Sequence, residues 1–372
     1  MLTRLLMLIS LITSPLLVNA AILEGRSAGQ AFVVEQVADN LGIPWGLAFV
    51  DDNTLIVTER SGRAWRIDSD SGERQALTGL PEVAAQGQGG LLDVALSPDF
   101  AQEPWLYFTY SKPHNGQAAT TLARAQLNGT ELTDWQDLLI TRSTTSTSRH
   151  FGSRISFDSD GHVFFGIGDR GERPNGQDRQ THAGSILRLN LDGSVPNDNP
   201  FVGNREALDE IWSYGHRNPQ GLTFDAGSGR LWEIEHGPRG GDEINLIEKG
   251  ANYGWPVVSQ GKEYWGPVDV GDDSQPGMRN AVKVYIPSIA PSSLIVYQGD
   301  AFPAWQGNLF AGALVLQHLN RVSLNAAGEP DNEERLLGDL NERIRALAVS
   351  PVEGWLYLST DSGRLLRLRP AD

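Results

Sequence analysis

From residue 44 onward the chain repeats one pattern: apolar and polar positions alternate over strand-length runs, and Asp/Asn/Gly turns separate the runs. Alternation of this kind marks strands with one face in a core, and the turn residues mark their ends. Residues 44–49, 54–59 and 64–68 form one such set, and 90–96, 105–110 and 122–127 a second. Residues 154–157, 162–168 and 185–191 form a third, and 219–224, 230–236 and 243–247 a fourth. The fifth is 292–297, 307–313 and 321–324, and the sixth is 344–350, 354–360 and 364–368. No amphipathic stretch of more than about two helical turns interrupts them. Self-similarity at about 40–50 residues, with room for a fourth outer strand in each unit, predicts an all-β, six-bladed β-propeller of four-stranded antiparallel blades. Seven blades is the competing count. A β-sandwich or two unrelated β domains would not explain one motif recurring from residue 44 to residue 368.

Residues 1–20 read differently. Arg4 precedes an apolar run over 5–17, and Val18-Asn19-Ala20 has the small-x-small form of a cleavage site. This is the layout of a secretory signal peptide, with an uncleaved anchor as the alternative. The expected mature chain is a single propeller domain, residues 21–372, exported to a bacterial periplasm or beyond, with no later apolar run long enough for a membrane span. The 41 Gly and 20 Pro fit a turn-rich fold, and the absence of cysteine excludes disulfides, thiolate metal sites and a cysteine nucleophile. A net charge of −16 argues against nucleic acid or anionic lipid as a partner. An anionic ligand would need a local cluster of Arg or Lys, or a bound metal.

A propeller gathers inter-strand turns from distant parts of the chain around one axis, so polar residues in those turns are candidates for a site. Gly87-Gln88-Gly89-Gly90 offers close backbone approach and the Gln88 amide, though a plain turn explains it equally well. His150, beside Phe151-Gly152, is placed as a general base; taken alone, a structural histidine is the simpler reading. Gly215-His216-Arg217-Asn218-Pro219-Gln220-Gly221 sets Arg217 and Asn218 side by side, suited to an oxygen-rich ligand or to fastening blades. The run from Glu235 to Asn245, with Gly237-Pro238 followed by Asp242-Glu243, offers main-chain carbonyls and carboxylates, the oxygen donors calcium prefers. Asn252-Tyr253-Gly254-Trp255-Pro256 could add a carbonyl and an aromatic wall. Arg343 and Arg345, two apart, project to one face, toward either an anion or an acid of the protein.

Together these segments, with His216-Arg217-Asn218-Pro219-Gln220-Gly221 and Gly237-Pro238 before Asp242-Glu243-Ile244-Asn245 the most specific, resemble the soluble quinoprotein glucose and aldose sugar dehydrogenases over the whole mature chain. The resemblance implies a six-bladed propeller that binds pyrroloquinoline quinone (PQQ) and calcium and oxidises the C1 hydroxyl of aldoses to lactones. It casts His150 as the base that takes the C1 hydroxyl proton while hydride passes to C5 of PQQ. Gln88, Arg217, Asn218, Arg343 and Arg345 become cofactor contacts, and the Gly237 and Pro238 carbonyls become ligands of a catalytic calcium. Glu243 and the Tyr253 backbone resemble a second, structural calcium site. Two departures stand out. The family's cofactor-contacting lysine in the fifth blade has no counterpart in Ala311–Leu316, leaving Gln317 or His318 as substitutes. A long aromatic loop is also missing, because Val284–Ile289 leads directly into Ala290-Pro291-Ser292-Ser293. The expectation is an open basin with broad aldose specificity, an electron acceptor the sequence does not identify, and a monomer or dimer. The competing readings are a calcium-dependent propeller lactonase, which would leave three arginines without purpose, and a non-catalytic binding module.

Overall fold

The computed structural model describes residues 21–371, so the expected signal peptide lies outside the described residues. Six antiparallel sheets follow one another along the chain. Blade 1 comprises strands Pro44–Phe49, Thr54–Glu59, Arg63–Asp68 and Arg74–Ala76. Blade 2 runs from Leu91–Leu96 to Glu131–Ile140, blade 3 from Ile155–Phe157 to Ile211–Tyr214, and blade 4 from Pro219–Asp225 to Lys283–Tyr285. Blade 5 runs from Pro291–Val296 to Pro330–Leu336. Blade 6 has three C-terminal strands, Ile344–Val349, Leu356–Thr360 and Leu365–Pro370, and is completed by Gln30–Ala38, which pairs with Leu365–Pro370. A fifth strand, Ala21–Ser27, adds to its outer edge. The predicted architecture is therefore the observed one, with the ring closed by an N-terminal strand that the repeat pattern did not announce. No helix of the described residues is long and apolar enough to cross a membrane.

The innermost strands surround the axis, and five of the six begin with a register shift. Pro44 and Gly46 face successive residues of the neighbouring strand, so Trp45 is extra; Gln220, Ser292 and Arg345 are extra in the same way. In blade 2 the shift falls between Leu91 and Val94 and takes in Asp93. A bulge leaves its extra residue out of the ladder and re-aims it. Neighbouring inner strands also approach closely here. A Cβ on Gly221 would lie 2.4 Å from the amide nitrogen of Leu294, and one on Gly46 would lie 2.8 Å from that of Val94.

Arg154, at the head of blade 3's inner strand, uses what the bulges expose. Its guanidinium donates to Asp93 Oδ1 at 2.7 Å and to the carbonyls of Gln220, Ser292 and Arg345 at 3.2, 2.9 and 3.0 Å. It also lies 4.1 Å from the ring centroid of Trp45. One buried side chain thus touches the inner strands of the other five blades. Burial pushes the Asp93 carboxyl up, opposed by Arg154 and by the Ile155 amide. Removing one partner of a buried ion pair leaves the other charge stranded, at a cost of about 3–5 kcal/mol. Arg154→Met is therefore expected to lose stability on that scale in denaturant unfolding. Arg154→Met with Asp93→Leu should recover part of the loss, and no recovery would show that the pair's charge is not what is at stake.

Candidate active site

At one end of the axis lies a basin of about 780 Å³. Trp45, Gln220 and Arg345, three of the bulged residues, line it together with Gln88, Phe151 and Asn218. Gly237, Pro238 and Arg343 complete the set of predicted residues found on its wall. Arg217, Glu243 and Tyr253 instead line a narrow cleft that shares Gly237 with the basin. Nine of the ten sequence-predicted residues are therefore brought together in two adjoining spaces rather than one, and the tenth, His150, lies next to Phe151 and Gly152 of the basin wall.

His150 is buried beside the basin in a left-handed backbone conformation, φ +56°. Its amide donates to Gln88 Oε1 at 2.7 Å, which ties the Gln88 turn to the histidine loop. The imidazole Nδ1 contacts Asp169 Oδ1 at 2.6 Å. With Nδ1–H donating there, Nε2 carries the lone pair, and it has no hydrogen-bond partner among the described residues. Asp169 is itself fixed: Gly171 N–H donates to Oδ1 at 2.7 Å, and Trp255 Nε1–H donates to Oδ2 at 2.8 Å. Trp255 is thus a buried donor to the acid, and its ring also lines the cleft beside Arg217. Arg170, fully buried, donates to the carbonyls of Ala118, Ser143, Thr147 and Arg149 and lies 3.6 Å from the centroid of Phe151, so it fastens the loop that presents His150. Burial holds the His150 pKa below the usual value; Asp169 opposes this and Arg217 adds to it. The ring is therefore a neutral acceptor near neutral pH. His236, on the basin wall, is also neutral. Burial brings it down to about 3, and its Nε2–H donates to the Pro291 carbonyl at 2.6 Å.

The basin is cationic. Arg343 and Arg345 both bind Asp361, at 2.8 Å, so an acid of the protein, one of the two partners the sequence allowed, is present, yet both side chains still line the basin. Sequence reasoning missed Arg60, Arg239 and Lys262, which line it too. Lys262 comes from an insertion in blade 4; neither Gln317 nor His318 reaches the wall, and His318 is buried with Nδ1 on the Leu316 carbonyl. Apolar faces from Trp45 and Phe151 with cations around them suit a planar polycarboxylate.

The Gly237 loop shows what it can hold. Asp242 Oδ1 accepts from Gly237 N–H at 2.9 Å and Oδ2 accepts from Ala290 N–H at 2.8 Å, which fixes the loop between blades 4 and 5. The carbonyls of His236 and Gly237 converge on one nitrogen of Arg217, at 3.1 and 2.6 Å, so they already solvate a cation. The motif carrying Arg217 is fixed from below. Glu235 accepts from the amides of Arg217 and Asn218 at 2.6 and 3.1 Å and from His216 Nδ1 at 3.2 Å, while His216 stacks on Tyr253. In the cleft, Glu243 makes no ion pair among the described residues, and burial with the charges of Glu235 and Asp242 pushes its pKa well up. The Oδ1 atom of Asn245 and one oxygen of Glu233, both buried close by, have no partner. Crowded acids and unpartnered oxygens are the donor set a hard divalent cation would relieve.

The sequence profile of the glucose/sorbosone dehydrogenase family matches residues 41–367. An aldose sugar dehydrogenase of Escherichia coli K12 is 41% identical over 347 residues, spanning 91% of this chain and 92% of that protein. The apo-form crystal structure of the soluble E. coli aldose sugar dehydrogenase matches with a TM-score of 0.87 and 38% identity, covering 91% of this chain and 100% of that one. The PQQ-bound aldose sugar dehydrogenase of Streptomyces coelicolor matches with a TM-score of 0.76 and 27% identity, covering 91% and 98%.

Whatever occupies the basin, the His150–Asp169 geometry has a testable consequence. The His150 imidazole is expected to titrate below the ordinary ~6.5 of histidine in NMR experiments. Asp169→Asn removes the contact that favours the charged ring, so the titration should move lower still. A rise would mean that Asp169 does not bear on this ring.

Proposed function

The chain belongs to the glucose/sorbosone dehydrogenase family, and we propose that it is an aldose sugar dehydrogenase that uses PQQ and calcium to oxidise the C1 hydroxyl of aldoses to lactones. The observation that carries this reading is the neutral His150, oriented by Asp169, at the edge of a cationic basin. When bound, PQQ would supply the hydride acceptor, which no protein side chain can supply, and calcium would supply electrophilic polarisation.

This chain's residues would act as follows. His150 Nε2 takes the proton of the C1 hydroxyl as C1 loses hydride, and Asp169 stabilises the imidazolium that results. Arg60, Arg343 and Arg345 offset the cofactor's carboxylates, while Gln88 and Asn218 offer amides to its remaining oxygens. The carbonyls of Gly237 and Pro238 would hold the catalytic calcium, with Arg217 yielding the Gly237 carbonyl. Glu243 and the Tyr253 backbone would hold a second calcium in the cleft. Only a short link, from Tyr285 to Pro291, borders that side of the basin, with Ile286, Pro287 and Ser288 on its wall, and so short a border fits acceptance of several aldoses. Residues 1–20 point to export to a bacterial periplasm or beyond.

Reconstitution tests the proposal. Apo-protein given PQQ and Ca²⁺ is expected to show bound-cofactor absorption and to reduce an artificial electron acceptor when glucose is added. Absence of both would overturn it. His150→Ala should keep the absorption and lose about 10²–10⁴-fold in kcat. Arg345→Ala should instead weaken cofactor binding about tenfold or more, as expected for losing a charge-assisted contact. Unchanged turnover in His150→Ala would remove it as the base.

A further inference from the structure

Arg60, Arg343 and Arg345 line the same basin, and three guanidinium groups gathered in one cavity would spread if nothing held them. Neighbouring like charges repel, and a long cationic side chain without a partner turns toward water. The repulsion is visible at Arg60: burial and the charge of Arg345 push its pKa down, and Asp361 opposes them. Arg343, 44% exposed along its side chain, has room to turn away.

Asp361 holds two of the three. Arg345 donates to its carboxylate from Nε and Nη2, each at 2.8 Å, and Arg343 donates from Nε at 2.8 Å. Arg343 Nη1 also donates to the Leu314 carbonyl at 3.0 Å. These bonds leave Nη1 of Arg345 and Nη2 of Arg343 without a partner among the described residues. Both side chains line the basin, so one donor nitrogen of each remains for a ligand.

The acid is itself fixed. It lies in the turn between Leu356–Thr360 and Leu365–Pro370, and its own N–H donates to the Arg343 carbonyl at 2.9 Å. Gly363 N–H closes the turn on the Thr360 carbonyl at 3.0 Å, and the Gly363 carbonyl accepts from Leu41 N–H at 3.0 Å. Ser362 Oγ and Arg364 Nη1 both donate to Glu342, the residue before Arg343, at 2.9 and 3.3 Å. Burial would raise the Asp361 carboxyl, but Arg345 and then Arg343 hold it below the usual carboxylate range, so it is charged near neutral pH.

A charged acid at this place weakens the attraction of the basin for an anion. What it supplies in return is aim. Bidentate pairing fixes the plane of a guanidinium as well as its distance, and a fork already ordered loses less freedom when a ligand arrives. We propose that Asp361 is a positioning residue for anion binding, which clamps Arg343 and Arg345 so that one nitrogen of each meets the same planar polycarboxylate. This rests on the reading of the basin as the site of PQQ, and adds to it the residue that orders the cationic wall.

Calorimetric titration of the cofactor-free protein tests it, with PQQ and with benzene-1,3,5-tricarboxylate, a planar tricarboxylate without redox chemistry. Asp361→Asn makes the basin more positive, yet it is expected to weaken both ligands about tenfold. Tighter or unchanged binding overturns the proposal, because charge alone would then decide. Asp361→Glu keeps the charge and can still pair, but it displaces the carboxylate by one methylene, and it too should bind both ligands more weakly; native affinity in that variant overturns the proposal as well. In an Arg345→Ala background, Asp361→Asn should change affinity by about threefold or less, since the fork it aims is gone. An undiminished loss in that background would mean general damage to the fold, and would overturn the positioning role. A native protein that takes up no PQQ but binds the tricarboxylate with this pattern would sink the cofactor and leave Asp361 in its role.

Discussion

The structure depends on a single cation placed where six sheets meet. Propeller blades pack face to face around a ring, and nothing in their ladders alone fixes how the inner edges meet at the axis. Arg154 does so by answering the unpaired groups of its neighbours: three carbonyls, one carboxylate and the face of Trp45. The bulges make this possible. A regular inner strand would present its carbonyls to its own ladder, whereas an extra residue turns one toward the axis. A buried arginine is tolerable only when its donors are satisfied, and four of its contacts here are hydrogen bonds or ion pairs from different blades. Strand register and axial charge are therefore mutually dependent.

Electrostatics around the basin follow the same logic of paired excess. The chain is acidic overall at −16, yet Arg60, Arg343, Arg345, Arg239 and Lys262 line one cavity. Behind the Gly237 loop the sign reverses within a few residues, where Glu233, Glu235, Asp242 and Glu243 crowd together and burial raises the pKa of Glu233, Asp242 and Glu243. Arg217 lies between the two fields, its amide on Glu235 and its guanidinium on the loop carbonyls. That arrangement separates a place for an anion from a place for a cation by the thickness of one loop. His150 is buried beside the cationic field, and burial, with the charges of Arg217 and Arg149 adding to it, holds its pKa down despite the contact with Asp169.

Much of this was legible in the sequence, and what was not has physical causes. Six repeats could be counted because alternation and turn chemistry are local. Pro44-Trp45-Gly46-Leu47, Pro219-Gln220-Gly221-Leu222 and Pro291-Ser292-Ser293-Leu294 all open inner strands at bulges, a repeated signature that explains why site residues cluster just there. The strand Gln30–Ala38 was missed because ring closure pairs it with residues more than 300 positions away, a contact with no local trace. Asp169 was missed for a related reason: Gly168-Asp169-Arg170-Gly171 reads as one more acidic turn until the fold sets it against His150. Arg60 and Lys262 gave no signal at all, since a lone cation on a turn is usually solvated. Glu243 and Tyr253 line one cleft, and nothing local showed that this cleft lies apart from the basin.

The overlap between axle and basin also determines which parts of the site are free to vary. Trp45, Gln220 and Arg345 line the basin with their side chains, while the Gln220 and Arg345 carbonyls and the Trp45 ring engage Arg154 below. A change at those positions alters the ligand surface and the packing of the axis together, so the floor is rigid by construction. The rim has no such double duty. Within the stretch between Ile247 and Lys283, Tyr253 and Trp255 belong to the site's support, but the tip at Tyr264 and Trp265 is exposed, and substitutions there alter only what the mouth of the basin offers. Loops anchored at their base but free at their tip can change length and residue type at little cost to folding. Chemistry is thus carried by the part of the molecule that cannot move, and choice among substrates by the part that can.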